Sequence, residues 1–395
     1  LSSGATVVIA QRYGARDPEG LSRTVHTAIA LALAAGVGIT VLGVSASGPA
    51  LRLMGTPADV LPHATVYLRV YFAGSIASFL YNMGSSILRA VGDTRRPLYF
   101  LIIACLVNIA LDVVLVAVLG MGVLGAALAT IFSQGVSAVL VLVSLTRAET
   151  VYRLDWKQVR FHGRLLGNIL RVGVPAGLQS NMYAISNILI QTAINGFGTA
   201  TVAAWTAHGK VDGFFWMILG AYGISITTFA GQNFGAQKYD RIRRSVRVCL
   251  ALGFGSAVLM SVLYCSLAPY LLGLFTRDAE VVSIGLDMVR QLVPYYFTYV
   301  CIEILAGAAR GCGCSLAPML MTCGGVCVLR VAWIFILLPL RPELSTVLVS
   351  YPASWVFTSV LFIFYYLQGG WLRGRIRKMG YAPEERGRKK EAGAH

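Results

Sequence analysis

Residues 97–146 read PLYFLIIACLVNIALDVVLVAVLGMGVLGAALATIFSQGVSAVLVLVSLT. Two apolar runs, each long enough to cross a bilayer as a helix, flank a short turn at Gly120-Met121-Gly122. Within this stretch only Asp112 is charged. Asn108 lies four residues earlier, on the same helix face, and Thr130 falls on the following run, which the short turn makes an antiparallel neighbour. A carboxylate near the middle of a membrane helix costs about 2.5–3.5 kcal/mol on insertion scales. It persists where it faces a cavity and a cation or proton neutralises it. Asn108, Asp112 and Thr130 are therefore a candidate coupling-ion site. The alternative is a protonated aspartate hydrogen-bonded inside a helix bundle.

The rest of the chain has the same character. Of its 395 residues, 56% are hydrophobic and only 13% charged, and mean hydropathy is +0.70; soluble domains carry about 25% charge. Apolar segments recur at 25–50, 64–89, 97–119, 123–145, 168–196, 201–230, 246–274, 282–309, 317–340 and 344–371. These predict ten membrane-spanning helices behind an apolar stub at 1–10, and an all-α fold, because a lipid-embedded helix satisfies its own backbone. The net charge of +16 does not point to nucleic acid, because 26 of the 33 basic residues fall in alternate loops and the tail. The positive-inside rule places those loops and the C-terminus in the cytoplasm of a multi-pass cell-membrane protein, most simply a bacterial inner-membrane one.

Two motifs repeat in one register. QRYGARD (11–17) matches QNFGAQK (232–238), and LRAVGDTRRP (88–97) matches ARGCGCSLAP (309–318). In both pairs Gly, Arg or Pro recurs at an offset of 221, as do the acids Asp59 and Glu280. Shared loop charge gives the repeats one orientation, hence a parallel duplication about an axis along the membrane normal. Read alone, the Gly and Pro of these motifs are helix stops and starts. The register predicts two pseudo-symmetric six-helix bundles, the first lacking its opening helix and most of its second. The expected division is an amino-terminal lobe at 1–146, a basic cytoplasmic linker at 147–167, a carboxyl-terminal lobe at 168–371 and a basic tail at 372–395 lying against anionic headgroups.

Gln179, Tyr183, Asn187, Gln191 and Asn195 recur every fourth residue, one polar ribbon along a single apolar helix. The first four are expected to line a substrate cleft; helix-to-helix hydrogen bonding is the structural alternative. His208, Lys210 and Asp212 sit on the next run, with Lys210 and Asp212 on different faces. Glu303, whose counterpart in the first repeat is Asn82, is a candidate second protonatable site or half of an ion pair with Arg330 or Lys210. The eight cysteines are scattered and read as small packing residues. No GxxxxGK[ST], DDxxD or HExxH occurs, so neither a nucleotide-driven pump nor two common kinds of intramembrane enzyme is expected.

QRYGARD, FAGQNFGAQKYDRIR, RAVGDTRRP, AARGCGCSLAP and the central VNIALDVVLV together resemble the multidrug and toxic compound extrusion family. The resemblance implies twelve helices in two lobes around a V-shaped cleft, exporting small organic cations by alternating access in exchange for Na⁺ or H⁺, as a monomer in membrane lipid with no further cofactor. In several bacterial and archaeal members of that family the amino-terminal lobe holds the coupling cation on an aspartate of the first helix, an Asn and Asp four apart in the fifth, and a Thr in the sixth. Asn108, Asp112 and Thr130 match the last three, Na⁺ at Asp112 being the one metal ion expected. A branch with an acid eight positions after the seventh-helix proline is not matched, since that position is Tyr183. The rival readings are a flippase for lipid-linked precursors, a channel or receptor, and a nonfunctional truncated product.

Overall fold

The computed structural model describes residues 1–380, and every regular element among them is helical. The chain divides into two compact units, Leu1–Leu170 and a second that begins at Arg171.

In the amino-terminal unit α1 (Ser2–Gly14) turns sharply into α2 (Pro18–Leu53). The Asp17 carboxylate accepts the Gly20 backbone N–H at 2.9 Å, and Pro18 opens the helix, so the first turn loses no hydrogen bond. The expected span at 64–89 is two helices, α3 (Leu61–Ala73) and α4 (Ser75–Ala90). They part at Gly74, where a Cβ would come within 2.6 Å of the Ile131 side chain. α5 (Arg95–Asp112) runs on through one π-helical stretch, Val113–Val118, before α6 (Gly122–Thr146). Ala5, Ile9, Val25, Ile29, Met83, Ile87 and Val141 form the core. Most of α5 is exposed apolar surface, as lipid contact requires.

The basic linker belongs to this unit. Apart from one 3₁₀ turn, Trp156–Gln158, it is irregular to 162, and α7 (Gly163–Asn195) takes up residues 163–167. The Leu154 N–H donates to the Leu145 carbonyl at 3.0 Å, and Leu154 and Ile169 enter the core beside Leu145. His26 is fixed in one tautomer: Nδ1 bonds the Ser22 carbonyl at 2.7 Å, and Nε2 accepts the Asp155 N–H at 3.0 Å. The Lys157 N–H, donated to the Asp155 carboxylate, holds that group below its ordinary pKa. Loss of water and the nearby Arg160 and Arg23 charges hold His162 below its ordinary 6.5. Its Nδ1 lies 3.0 Å from Thr27 Oγ1, and its Nε2 is buried with no partner. Trp156 and Phe161 are exposed, the arrangement of an interfacial anchor.

The carboxyl-terminal unit continues with α8 (Thr199–Gly235), α9 (Tyr239–Gly273), α10 (Ala279–Leu292) and α11 (Tyr296–Gly311). α12 (Leu316–Thr322) and α13 (Leu329–Leu337) are joined by a π-helical stretch, Cys323–Val328. α14 (Leu344–Gln368) and α15 (Gly370–Met379) follow. α15 corrects the sequence expectation for the start of the tail. Trp371, Leu372 and Ile376 are buried with Phe234, Ile242 and Cys312, and Arg375 donates to the Cys312 carbonyl at 3.2 Å. Apolar residues three and four apart give residues 370–379 a buried face that their cationic composition hid. The remainder of the expected tail lies outside the described residues.

The duplication is visible residue by residue. α4 and α11 begin and end 221 residues apart. Among the described residues, Arg16 and Gln237 are the two non-glycine residues with left-handed backbone, at φ 53° and 57°, in the same register. Gly92 and Gly313 likewise share positive φ, at 100° and 83°, which glycine tolerates without a Cβ clash. The π stretches break the pattern, falling at different points of matched helices. Among the described residues, eight helical stretches are long and apolar enough to cross a membrane. Of the ten expected spans, 64–89 is interrupted at Gly74, and α7 carries the polar ribbon.

Candidate functional site

The amino-terminal unit holds its polar cluster on α5. One stripe of this otherwise exposed helix faces inward: Pro97 and Ala104 are buried, and Val107, Asn108, Leu111, Asp112 and Leu115 are half-buried. Asn108 Nδ2 is buried without an acceptor, and Asp112 has no hydrogen bond or ion pair among the described residues. On α6, Gly125 packs against the Leu115 backbone, where a Cβ would come within 3.1 Å of the carbonyl. Antiparallel pairing at that point brings position 130 about level with position 110, between Asn108 and Asp112. The Thr130 hydroxyl donates to the Ala126 carbonyl at 3.0 Å, leaving its oxygen lone pairs to accept. Immediately beyond Asp112 the helix widens into its π stretch, a distortion frequent at functional sites. All three side chains offer oxygen, the donor atom a hard cation prefers.

The carboxyl-terminal unit encloses a cavity of about 460 Å³. α7 supplies Tyr183, Asn187 and Gln191; α8 supplies Trp205, His208, Asp212 and Trp216. Tyr296 and Tyr299 of α11, Arg330 of α13, and Tyr351 and Trp355 of α14 complete it. Three members of the α7 ribbon thus face this space. Gln179 is buried outside its lining, and Gln191 bonds Asn195 at 2.9 Å.

Both charges in the cavity are held by neutral groups. Asp212 accepts from the Tyr296 hydroxyl on one oxygen and from Trp216 Nε1 at 2.5 Å on the other. Arg330, only 3% exposed, donates Nε and Nη2 to Ser354 Oγ at 3.3 and 3.0 Å, and its guanidinium carbon lies 3.9 Å over the Tyr351 ring. The walls brace one another. Tyr183 and Tyr299 share a 2.6 Å hydrogen bond, Trp216 meets Tyr299 edge-on at 4.8 Å, and Phe215 stacks on Tyr296 at 4.3 Å. Such aromatic pairs favour fixed geometry. His208 Nδ1 is held 2.9 Å from the Tyr264 hydroxyl.

Glu303 lies elsewhere. Its partner is Arg310 at 3.2 Å, neither of the two the sequence suggested. Arg310 is two turns along the same helix, and reading it only as a loop cation hid the pair. Lys210 is exposed. Among the described residues no three His, Cys, Asp or Glu side chains come together to hold a metal ion. The ribbon was legible, but the partners of Asp212 and the placement of Arg330 were not. Trp216, four residues after Asp212 on one helix face, was the signal available.

Comparison with known proteins accounts for both units. The MatE family model matches twice, over residues 1–114 and 175–336, and its two matches end one residue off the 221 register. The probable multidrug resistance protein YoeA of Bacillus subtilis is 28% identical over 389 residues, covering 96% of this chain and 83% of that protein. The probable multidrug resistance protein NorM of Thermotoga maritima is 25% identical over 96% of this chain and 84% of its own length. A crystal structure of MATE in the bent conformation matches with a TM-score of 0.88 at 23% identity, covering 95% of this chain and 84% of the other. The fold, the repeat and the family match coincide over most of the chain: it belongs to the MatE family, the multidrug and toxic compound extrusion transporters, and is a multi-pass membrane transporter rather than an enzyme.

Proposed function

We propose that this chain is a multidrug exporter that drives small organic cations out of the cell in exchange for Na⁺ or H⁺, by alternating access. Asn108, Asp112 and Thr130 bind the coupling ion, and the cavity bordered by Tyr183, Asn187 and Gln191 takes the organic substrate. The observation that carries this reading is a half-buried carboxylate on an otherwise exposed apolar helix, with no partner among the described residues and a buried amide nitrogen four residues away that also lacks one. An acid in that position is stable when an ion or proton completes it. The ion drives transport only if it binds the outward-open and inward-open states with different affinity. Relatives described as multidrug resistance and multidrug export proteins support the substrate class. A flippase for lipid-linked precursors is not favoured, because the α7 ribbon is neutral and the cavity holds an acid beside its one arginine.

The test is ethidium efflux from proteoliposomes with Na⁺ and pH gradients imposed separately. The reading expects one gradient to drive dye against its concentration difference. Efflux indifferent to both gradients would contradict it.

A further inference from the structure

Arg330 is a buried charge in the carboxyl-terminal unit. A guanidinium carries five N–H donors and never deprotonates in proteins. Here it is 3% exposed, and its one hydrogen-bond acceptor among the described residues is Ser354 Oγ. A buried charge without a counter-charge is costly, and the Tyr351 ring beneath it offsets only part of that cost. Asp212 does not neutralise it: the two line the same cavity without forming an ion pair. Asp212 is instead held by Tyr296 and Trp216, one donor on each oxygen, so about half of its lone-pair sites remain open. A run of edge-on ring contacts, Tyr351 with Trp355 at 5.7 Å and Trp355 with Trp216 at 5.9 Å, connects the residues that support the two charges.

We infer that this cavity is built for a dipolar aromatic molecule, whose carboxylate docks on the unfilled N–H groups of Arg330 and whose cationic nitrogen turns toward Asp212. A planar oxyanion fits the guanidinium fork through two parallel hydrogen bonds, and the tryptophan and tyrosine walls accept a flat ring system. The volume lies within the range of small-molecule sites. Arg330 is then the residue that distinguishes a zwitterion from the corresponding simple cation. The alternative is a purely structural arginine that ties α13 to Ser354 and Tyr351 of α14. The inference rests on the transport reading for its consequence in export, but ligand recognition itself needs no gradient.

The probe is a matched pair: an aminoxanthylium dye bearing a free benzoate, and its methyl ester, which lacks only the negative charge. Binding of each to the full chain in nanodiscs is followed by fluorescence anisotropy, with empty nanodiscs as background. The wild-type chain is expected to bind the acid about tenfold more tightly than the ester. Arg330→Gln should bring that ratio close to one by weakening the acid, and ester binding at or above its wild-type affinity reports an intact cavity. Should Arg330→Gln fail to fold, Arg330→Lys keeps the charge but loses the fork, and the ratio should fall to about threefold. Equal affinity for the two dyes in the wild-type chain would overturn the inference, as would an undiminished ratio in the arginine variants. A chain that binds the acid selectively yet shows no gradient-driven efflux would overturn the transport reading alone. Gradient-driven efflux without acid selectivity would overturn this inference alone.

Discussion

The two repeats place different chemistry at the same backbone positions. In the amino-terminal unit the ion-site candidates are Asn108, Asp112 and Thr130; 221 residues later stand Leu329, Trp333 and Tyr351. Trp333 donates its indole N–H to the Thr346 carbonyl at 3.0 Å, and Tyr351 supports Arg330. Ser78 and Gln134, hydrogen-bonded to each other, correspond to Tyr299 and Trp355, which meet edge-on at 6.0 Å. Asn82 and Arg89 correspond to the ion pair Glu303 and Arg310. Duplication preserved helix ends and turn conformations, while the interior diverged into a small polar patch in one unit and an aromatic chamber in the other. Under the proposed function, that divergence follows from two tasks divided between two copies of one scaffold, an ion on one side and an organic molecule on the other.

The comparison fails most visibly if the acid of the first repeat is dispensable. Asp112→Asn should reduce gradient-driven efflux by about 100-fold, near the upper end of usual coupling energies. The matched change Trp333→Phe should leave ion dependence intact; both are read as initial efflux rates in proteoliposomes. In the second unit, Asp212→Asn should weaken transport of cationic substrate by about tenfold in apparent affinity, because a charge-assisted contact is lost. Its dependence on the driving gradient should not change, and a substrate titration under each gradient separates the two effects.

The packing of the repeats can be probed at one matched position. A Cβ on Gly311 would come within 2.4 Å of the Thr227 carbonyl oxygen, whereas its counterpart Ala90 is fully buried with its methyl accommodated. Gly311→Ala should destabilise the carboxyl-terminal unit by about 1–3 kcal/mol. Ala90→Gly should cost only about 1 kcal/mol, mainly through helix propensity. The order of the two unfolding midpoints in detergent checks this.

The smallest effect is expected at the linker, which packs on the amino-terminal unit. His162 has a lowered pKa in the folded chain, so folding favours its neutral form. Its contribution is present above the unfolded value near 6.5 and is lost as pH falls through that value toward the lowered one. Hydrogen exchange at residues 155–162, corrected for intrinsic rates, should quicken between neutral and mildly acidic pH. His162→Gln should remove most of that response.

Much of this architecture was legible in the sequence because lipid leaves few options. Spans, their helical class and the duplication followed from apolar run length, loop charge and two motifs in one register. The break at Gly74 was hidden, and the close approach that favours glycine there comes from Ile131, on a helix many residues away. Docking of α15 was hidden by its cations, although Trp371, Leu372 and Ile376 share a face. The ribbon on α7 was visible because four-residue spacing is a local property, and three of its residues, Tyr183, Asn187 and Gln191, line the cavity. The chamber opposite it was not legible: Asp212 meets Tyr296, and Arg330 meets Ser354 and Tyr351, only through tertiary packing.

The central claim is that the amino-terminal acid couples an ion to transport without forming the route of the organic substrate. The most direct test compares uphill and downhill movement of ethidium in Asp112→Asn proteoliposomes, under the gradient that drives the wild-type chain. The account predicts that accumulation against a dye gradient is lost while downhill exchange continues near the wild-type rate. Uphill accumulation at the wild-type rate would contradict it.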